Sequence, residues 1–420
     1  MDILEGARIS WRNIREHKLR STLTTLGVII GVAAVITFVT LGASLQQDII
    51  QTIAGGNAAT MYATAESPGD SQLPSLGGGG QVAFTQYDVN QIRNLEGVEL
   101  VAPESGIAAS SMSHNNSSVG RQWVRVSSPS YFRVRNVSFV DGRPYRMGER
   151  EVVLNRPATR MFEDNVSVGE NVTFTRAVNG EELNATVVGI VETGDQSSVL
   201  GIGQSEENPQ VYAPARPYYE RTSQSPNLRT RQLVYGRVLV MADSPGQVDA
   251  VQGRVYNYLG ERSDARQLKP QNYQFQVTTQ DQIIAQIKQL TSTFTAYITG
   301  IAVISLIVGS IGIANIMLVS VTERTKEIGI MKAVGAQNRD VLQLFLVEAI
   351  MLGLLGAVLG ALVGVAAGYA GARTIGLPLA FEPIWFGAAV AVGIVVGALA
   401  GLYPAWDAAK TDPIDALRYE

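Results

Sequence analysis

Four long runs without a charged side chain constrain the fold of this chain more than any other feature. They lie between Arg20 and Asp48, between Lys288 and Glu323, from Ala349 to Ala372, and from Pro383 to about Tyr403. About 20 apolar helical residues, at ~1.5 Å per residue, are needed to cross ~30 Å of hydrocarbon. Each run is long enough, so the sequence predicts four transmembrane helices, at residues 21–44, 291–322, 342–372 and 383–403.

The first run has an alternative interpretation as a cleaved signal peptide, because the small residues Gly42-Ala43-Ser44 follow its apolar centre. That centre, Leu23 to Ala43, is longer than the ~7–15 apolar residues of a signal peptide. Residues 1–20, which have amphipathic spacing, also precede it. These lengths favour an uncleaved anchor, with residues 1–20 as a cytoplasmic amphipathic helix.

Arginine and lysine flank the four spans unequally. They precede the first span, fill the loop between the second and third, and follow the fourth, at Arg8, Arg12, Arg15, Lys18, Arg20, Arg324, Lys326, Lys332, Arg339, Lys410 and Arg418. Only Arg373 lies between the third and fourth spans. Because positive loops stay inside, we expect a multi-pass protein of the cell membrane with both termini cytoplasmic and residues 404–420 as a cytoplasmic tail.

The segment between the first two spans, residues 45–290, has the composition of a water-exposed domain. It contains 25 of the 37 acidic and 21 of the 33 basic residues, which accounts for the whole net charge of -4. Alternating apolar residues predict strands near residues 122–126, 151–154, 171–174 and 236–240, and helical spacing predicts helices at 86–95 and 246–259. We therefore expect a large mixed α+β extracytoplasmic domain in two lobes, with Gly77–Gly80 as a flexible loop.

Two flanking segments continue the spans outward. Leu45 to Ile53 extends the first span, and Asp281 to Thr293 leads into the second with apolar residues at helical spacing. The sequence predicts that they form a helical stalk that couples motion in the membrane to the outer domain.

Asn-x-Ser/Thr sequons are all confined to the predicted outer domain. They begin at Asn115, Asn116, Asn136, Asn165, Asn171 and Asn184. This position fits glycosylation of an extracellular face, and chance in a polar segment rich in Asn and Ser is an equal alternative.

Glycines recur at every fourth residue in three of the spans, at Gly27 and Gly31, at Gly356, Gly360, Gly364 and Gly368, and at Gly393, Gly397 and Gly401. Such residues lie near one helix face and let helices approach closely in lipid. Packing within the chain is the main interpretation, and contact between two copies of the chain is the alternative.

Several kinds of chemistry are excluded by missing residues. The sequence has no cysteine, two histidines and no Gly-x-x-x-x-Gly-Lys-Ser/Thr phosphate loop, so we expect no metal site, no catalytic residues and no ATP hydrolysis on this chain. The acidic balance argues against a nucleic-acid partner. Charge-free spans also argue against an ion or proton relay, with Glu348 at a span edge expected to cap or snorkel.

The loop between the second and third spans contains a short amphipathic helix, predicted within residues 323–341. Its candidate functional residues are Glu323, Arg324, Lys326, Glu327, Ile328, Gly329, Ile330, Met331, Lys332, Val334 and Gly335. Glu323 and Lys326 are three residues apart, Ile330 and Val334 are four apart, and Gly335 is placed to end the helix. Such a helix fits a groove in a partner protein, and a helix lying on lipid headgroups is the alternative.

These residues carry a family resemblance. Glu323 to Gly329 and Ala333 to Ala336 resemble the coupling-helix motif of FtsX-like ABC transporter permeases, the family of MacB and of the LolC/LolE lipoprotein exporters. Leu19 to Val32 is similar to their entry into the first span, and Tyr403 to Glu420 is similar to their end. In the outer domain, Tyr131 to Asn136, Gly142-Arg143-Pro144 and Val168 to Val172 resemble the MacB-type periplasmic core domain.

The resemblance implies a permease dimer whose cytoplasmic helix binds a cleft of an ABC ATPase. ATP and magnesium would be bound by that ATPase, on a separate chain, since only about twenty residues precede Ser21 where MacB carries its ATPase. It implies mechanotransmission to the outer domain, in efflux or extraction of peptide, lipid or lipoprotein cargo. An FtsX-like regulator of an extracellular cell-wall enzyme is the alternative, which the large outer domain disfavours. A passive receptor would leave the cytoplasmic motif unexplained.

Overall fold

The computed structural model describes residues 18–54, 57–67, 83–192, 209–380 and 383–418. Residues 1–17 of the helix predicted at 1–20 lie outside the described residues, and so does the predicted loop Gly77–Gly80. Contacts divide the chain into two units, one of residues 1–47 with 289–420, and one of residues 48–288. The second unit corresponds closely to the predicted insert at 45–290.

The helices are numbered here in chain order. They are α1 (Lys18–Ala54), α2 (Gln86–Arg93), α3 (Ser130–Val134), α4 (Arg156–Thr159), α5 (Ala215–Tyr218), α6 (Val248–Glu261), α7 (Ala265–Leu268), α8 (Gln280–Glu323), α9 (Thr325–Ala333), α10 (Asn338–Thr374), α11 (Ile384–Lys410) and α12 (Pro413–Arg418). Among the described residues, α1, α8, α10 and α11 are long and apolar enough to cross a membrane, which confirms the prediction of four such helices.

All four long helices run past their predicted span limits, α10 by a few residues at each end. α1 continues to Ala54 and α8 begins at Gln280, so both predicted stalk segments are continuous with their spans. α11 passes through Pro404 and ends at Lys410 rather than at residue 403. Proline removes a backbone donor, yet the helix continues for six residues past Pro404, and Ala405, Ala408 and Ala409 in this stretch are buried.

α10 packs along α1 through its four regularly spaced glycines. A Cβ atom at Gly360 would lie 2.8 Å from the Ile29 carbonyl oxygen, and one at Gly364 would lie 2.8 Å from that of Ala33. At Gly356 and Gly368, a Cβ would lie 2.9 and 3.1 Å from the side chains of Val28 and Thr40. The α10 glycine strip therefore packs closely against α1 within the chain.

The other spaced glycines also lie at contacts between helices of this unit. Gly393, Gly397 and Gly401 of α11 contact α10 at Ala357, Ala349 and Ala349, respectively. A Cβ at Gly27 would lie 2.6 Å from the Cα of Gly309 on α8, and Gly31 contacts Leu306. Gly309 falls outside the four-residue series, so spacing alone did not single it out.

The strands all belong to the unit of residues 48–288. They are β1 (Thr60–Glu66), β2 (Phe84–Thr85), β3 (Val98–His114), β4 (Ser117–Val119), β5 (Gln122–Ser127), β6 (Phe139–Gly142), β7 (Glu151–Asn155), β8 (Asn171–Arg176), β9 (Glu182–Val191), β10 (Val211–Pro214), β11 (Thr222–Gln224), β12 (Arg231–Tyr235), β13 (Arg237–Ala242) and β14 (Gln274–Thr279). The strands predicted at residues 122–126, 151–154, 171–174 and 236–240 are confirmed as β5, β7, β8 and β13. The two predicted helices are confirmed as α2 and α6.

One large sheet organises this domain. Its strand order is β14-β1-β13-β3-β5-β10-β7-β9-β6, with β4 and β8 pairing outside this path, and β11, β12 and β2 form a small second sheet. β3, at 17 residues, pairs with β13 and β5 on its two sides and with β4 and β8 further along. The domain is mixed α/β as predicted. Contacts group residues 48–288 as a unit separate from the membrane helices.

A buried ion cluster lies where β3, β5 and β13 meet. Both carboxylate oxygens of Glu104 accept from Arg237, at 2.6 and 2.7 Å, and one also accepts from Arg125 at 2.5 Å. Burial acts to raise the pKa of Glu104, but the charges of Arg125 and Arg237 outweigh it and hold the pKa below its ordinary value. Buried Tyr131 and Tyr212 pack beside the cluster, with the Arg125 guanidinium 5.8 Å from the Tyr131 ring centre.

Candidate coupling site

The predicted amphipathic helix is α9, which is shorter than the segment 323–341. Arg324 separates it from α8, because its backbone (φ -102°, ψ 12°) leaves the helical region for one residue. At the other end Gly335 has φ +109°, a conformation that favours glycine, and its N–H donates to the carbonyl of Lys332. The sequence therefore placed the end of the helix correctly at Gly335.

The first turn of α9 is fixed to α10 by the side chain of Arg324. Its guanidinium donates to Glu327 at 3.1 Å and to Glu348 of α10 at 3.4 Å. Its Cζ atom also lies 5.3 Å from the centre of the Phe345 ring. Glu348 is buried, so it serves as the anchor of Arg324, a role that the sequence, which predicted capping or snorkelling, did not assign.

The last turn of α9 is fixed to α11 by Lys332. Its Nζ donates to the carbonyl oxygens of Ala409 and Thr411, each at 2.8 Å. These carbonyls lie at the end of α11, where backbone acceptors have no partner within the helix and the helix dipole favours a positive charge. Lys332 thus acts as a cap for another helix, and nothing in its sequence neighbourhood reveals that partner.

The inner face of α9 packs into the helix bundle. Ile328 is fully buried in a cluster with Val341, Phe345 and Ala408, and Gly329 next to it is buried too. α12 packs against α9 as well. The bundle therefore holds α9 through Arg324, Ile328 and Lys332, one contact in each turn.

The outer face of α9 is exposed. It consists of Glu323, just before the helix, and of Lys326, Glu327, Ile330 and Val334. Ile330 is 50% exposed and Val334 is 84% exposed, although both are aliphatic. We call these five residues the coupling face. A helix face with opposite charges around two exposed aliphatic side chains suits a partner groove of mixed polarity.

The eleven candidate residues thus fall into two groups that the sequence could not separate. Glu323, Lys326, Glu327, Ile330, Val334 and Gly335 are exposed, whereas Arg324, Ile328, Gly329, Met331 and Lys332 are buried or half-buried. A partner would touch the first group directly. The second group holds the helix in position.

The six sequon asparagines are all exposed on the outer domain. Asn115 and Asn136 have positive φ angles of 50° and 51°, which is typical of turns. The Oδ1 atoms of Asn171 and Asn184 accept hydrogen bonds from Thr186 and Thr173. All six positions are therefore accessible to modification.

Comparisons with known proteins agree along the whole chain. A profile of the MacB-like periplasmic core domain matches residues 21–258, and a profile of the FtsX-like permease C-terminal domain matches residues 299–413. The chain is 30% identical over 436 residues to the "uncharacterized ABC transporter permease YknZ" of Bacillus subtilis (strain 168), covering 100% of both proteins.

A second relative is longer. The chain is 32% identical over 423 residues to the "macrolide export ATP-binding/permease protein MacB 1/2" of Paracoccus denitrificans (strain Pd 1222), covering 99% of this chain and 59% of that protein. The chain therefore spans about three fifths of such MacB relatives. Among solved structures, the periplasmic region of MacB from Actinobacillus actinomycetemcomitans matches with 18% identity and a TM-score of 0.38, over 57% of this chain and 97% of that one.

Proposed function

This chain belongs to the MacB-type, FtsX-like family of ABC transporter permeases, and from that premise we propose that it is a mechanotransmission permease driven by an ATPase on a separate chain. ATP and magnesium bind to that ATPase, and this chain contributes the coupling face. The observation that carries the proposal is that α9 is fixed to the bundle in every turn while the coupling face stays exposed.

The continuity of α8 supports a mechanical role. It runs unbroken for 44 residues from Gln280, directly after β14, to Glu323, directly before α9. A displacement of α9 by the ATPase is transmitted along α8 to the outer domain, and α1 offers a second continuous path to Ala54. Such a mechanism requires no polar route through the bilayer, and the four spans lack charged residues in their apolar centres.

The remaining elements of the proposal follow from the family. Two copies of the chain form the permease in the cell membrane, with both termini and the coupling face in the cytoplasm. The cargo is a peptide, a lipid or a lipoprotein handled at the outer surface. The alternative role, regulation of a cell-wall enzyme, would use the same coupling face. A test of this face therefore examines the ATPase contact that both roles require.

The test is co-purification of the full chain with the ABC ATPase encoded beside it, followed by an assay of ATP hydrolysis. Ile330→Asp places a charge in the middle of the coupling face, and we expect it to reduce both ATPase recovery and permease-dependent hydrolysis at least tenfold. Val178→Asp is the matched control, because Val178 is an exposed aliphatic residue (85%) of the outer domain. Equal recovery and hydrolysis for Ile330→Asp and Val178→Asp would contradict the proposal.

A further inference from the structure

An apolar cavity of about 140 Å³ lies within the helix bundle, between α1, α8 and α11. Val32 and Ile36 of α1, Thr299 and Ala302 of α8, and Trp385 and Ala389 of α11 are among the side chains that line it. The residues described as lining it do not belong to α9, and the proposed coupling mechanism does not use the cavity. We propose that this cavity binds a segment of one acyl chain of a bilayer phospholipid.

The first argument is the chemistry of the lining. The described residues that line the cavity include no charged side chain, and the hydroxyl of Thr299 donates to the carbonyl of Thr295 at 2.7 Å, so it is already engaged. An apolar cavity of this size stays dry and takes up apolar molecules. The ligand is therefore a hydrocarbon group.

The second argument is depth. Val32 lies twelve residues before Ser44, where the predicted first span ends, and this corresponds to about 18 Å along the helix. That distance exceeds half of the ~30 Å hydrocarbon thickness. Trp385 lies in the first turn of α11, near an end of the span where an indole is favoured. The cavity thus extends from near the membrane surface to the middle of the bilayer, which matches the path of an acyl chain.

The third argument concerns access and selectivity. Val303 and Val392, which also line the cavity, are 48% and 37% exposed, so its rim is open at the surface of the helix bundle. The lining offers no ion pair to a headgroup or to a particular cargo. A site that recognises only hydrocarbon is filled by the most abundant source, which is phospholipid rather than lipid-modified cargo.

The first test uses the fluorescence of Trp385. The full chain with Trp11→Phe, Trp123→Phe and Trp406→Phe is reconstituted in phosphatidylcholine vesicles with brominated acyl chains, which quench tryptophan on contact, and is then transferred to lipid-free detergent. We expect Trp385 to keep at least half of its quenching, because its lipid chain stays in the cavity. A chain that retains only Trp406, which is exposed (48%) and does not line the cavity, is the control and loses its quenching.

The second test fills the cavity. In the chain that retains only Trp385, Ala302→Phe removes the space, and Ala296→Phe makes the same change at an exposed position of α8. We expect the quenching retained in detergent to disappear in Ala302→Phe and to persist in Ala296→Phe. If Ala302→Phe does not fold, Ala389→Phe with exposed Ala391→Phe as its control fills the cavity from α11.

Two results would overturn the proposal, and the first needs no cavity variant. One is complete loss of Trp385 quenching in detergent, as for Trp406. The other is retained quenching that is equal in the cavity-filling variants and their controls. Neither depends on an ATPase, so failure of this site is distinguishable from failure of the coupling face.

Discussion

Each of the two units of this chain is stabilised internally by a different kind of side chain. In the outer domain, bulky tyrosines and phenylalanines are fully buried, and the charges of Glu104, Arg125 and Arg237 meet beneath them. In the membrane unit, glycine and alanine occupy the tightest contacts, such as Gly27 against Gly309. Water rewards the burial of apolar area, whereas lipid gives helices no hydrophobic reason to associate and close approach of backbones takes its place.

The contrast also exists within the membrane unit. The most apolar stretch of α10 is 44% buried and that of α8 is 22% buried. α10 approaches α1 through Gly356, Gly360, Gly364 and Gly368 and approaches α11 through Gly353, whereas α8 approaches α1 at Gly309 and Leu306. The helix that continues into both α9 and β14 is thus the one with the least packing inside the chain. This low burial within one chain fits the proposed role of α8 in transmitting motion.

The largest expected effect is a loss of stability of the outer domain when one buried charge is removed. Glu104→Gln leaves Arg125 and Arg237 buried without their carboxylate, which costs about 3–5 kcal/mol for a broken buried ion pair. Thermal unfolding of the full chain in detergent, followed by circular dichroism, measures the loss. The control is Glu99→Gln, because its partner Arg133 is 3.4 Å away and both side chains are exposed. That pair is worth at most ~1 kcal/mol, and an equal loss in the two variants would contradict a special role for the cluster.

The same cluster predicts a dependence on pH. Because the pKa of Glu104 is lowered on folding, its contribution is present above the ordinary carboxylate pKa and is lost as the pH falls through the lowered value. We expect the stability difference between the native chain and Glu104→Gln to shrink on acidification below pH ~4.5, the usual range for glutamate. Melting curves of both proteins over a series of acidic buffers measure it. A difference that grows on acidification would show that the sign is wrong.

A smaller effect is expected where the membrane unit relies on glycine. Gly309→Leu forces a side chain into the backbone of α1, since even a Cβ there lies 2.9 Å from the nitrogen of Val28. Overpacking of this kind costs about 1–3 kcal/mol. Gly312→Leu is the matched control, because a Cβ at Gly312 would have no atom of another described element within 4 Å. Thermal melting of the two variants in the same detergent decides the matter, and equal melting temperatures would remove the argument for backbone contact between α1 and α8.

The sequence predicted these elements to different extents. Lack of charge located the four spans, and alternation located β5, β7, β8 and β13, because both patterns are local. The glycine strips were visible as well, but their partners were not, since a four-residue period identifies a face and says nothing of what lies opposite it. Gly309 has no such period and was missed, although it makes one of the closest contacts.

The candidate site shows the same limit more sharply. Its helix, its end at Gly335 and its charged residues were predictable from the order of residues between two spans. The division into a coupling face and an anchoring face was not. Arg324 and Lys326 are both basic residues and lie two positions apart. Arg324 nevertheless binds Glu348, 24 positions away, whereas Lys326 is exposed. Contacts of this range depend on how the bundle assembles, which no local pattern records.

The smallest expected effect concerns the hydrogen bonds by which Lys332 attaches α9 to the helix bundle. Lys332→Met removes the ammonium that caps the carbonyls of Ala409 and Thr411, and keeps a side chain of similar length. Loss of a cap at the end of a helix costs about 1 kcal/mol, so the melting temperature falls slightly. Lys326→Met is the control, because exposed Lys326 belongs to the coupling face, and we expect it to leave the melting temperature unchanged while reducing ATPase recovery. If both variants behaved alike in melting and in recovery, the separation of α9 into an anchoring face and a coupling face would be wrong, and α9 would have to be treated as a single surface.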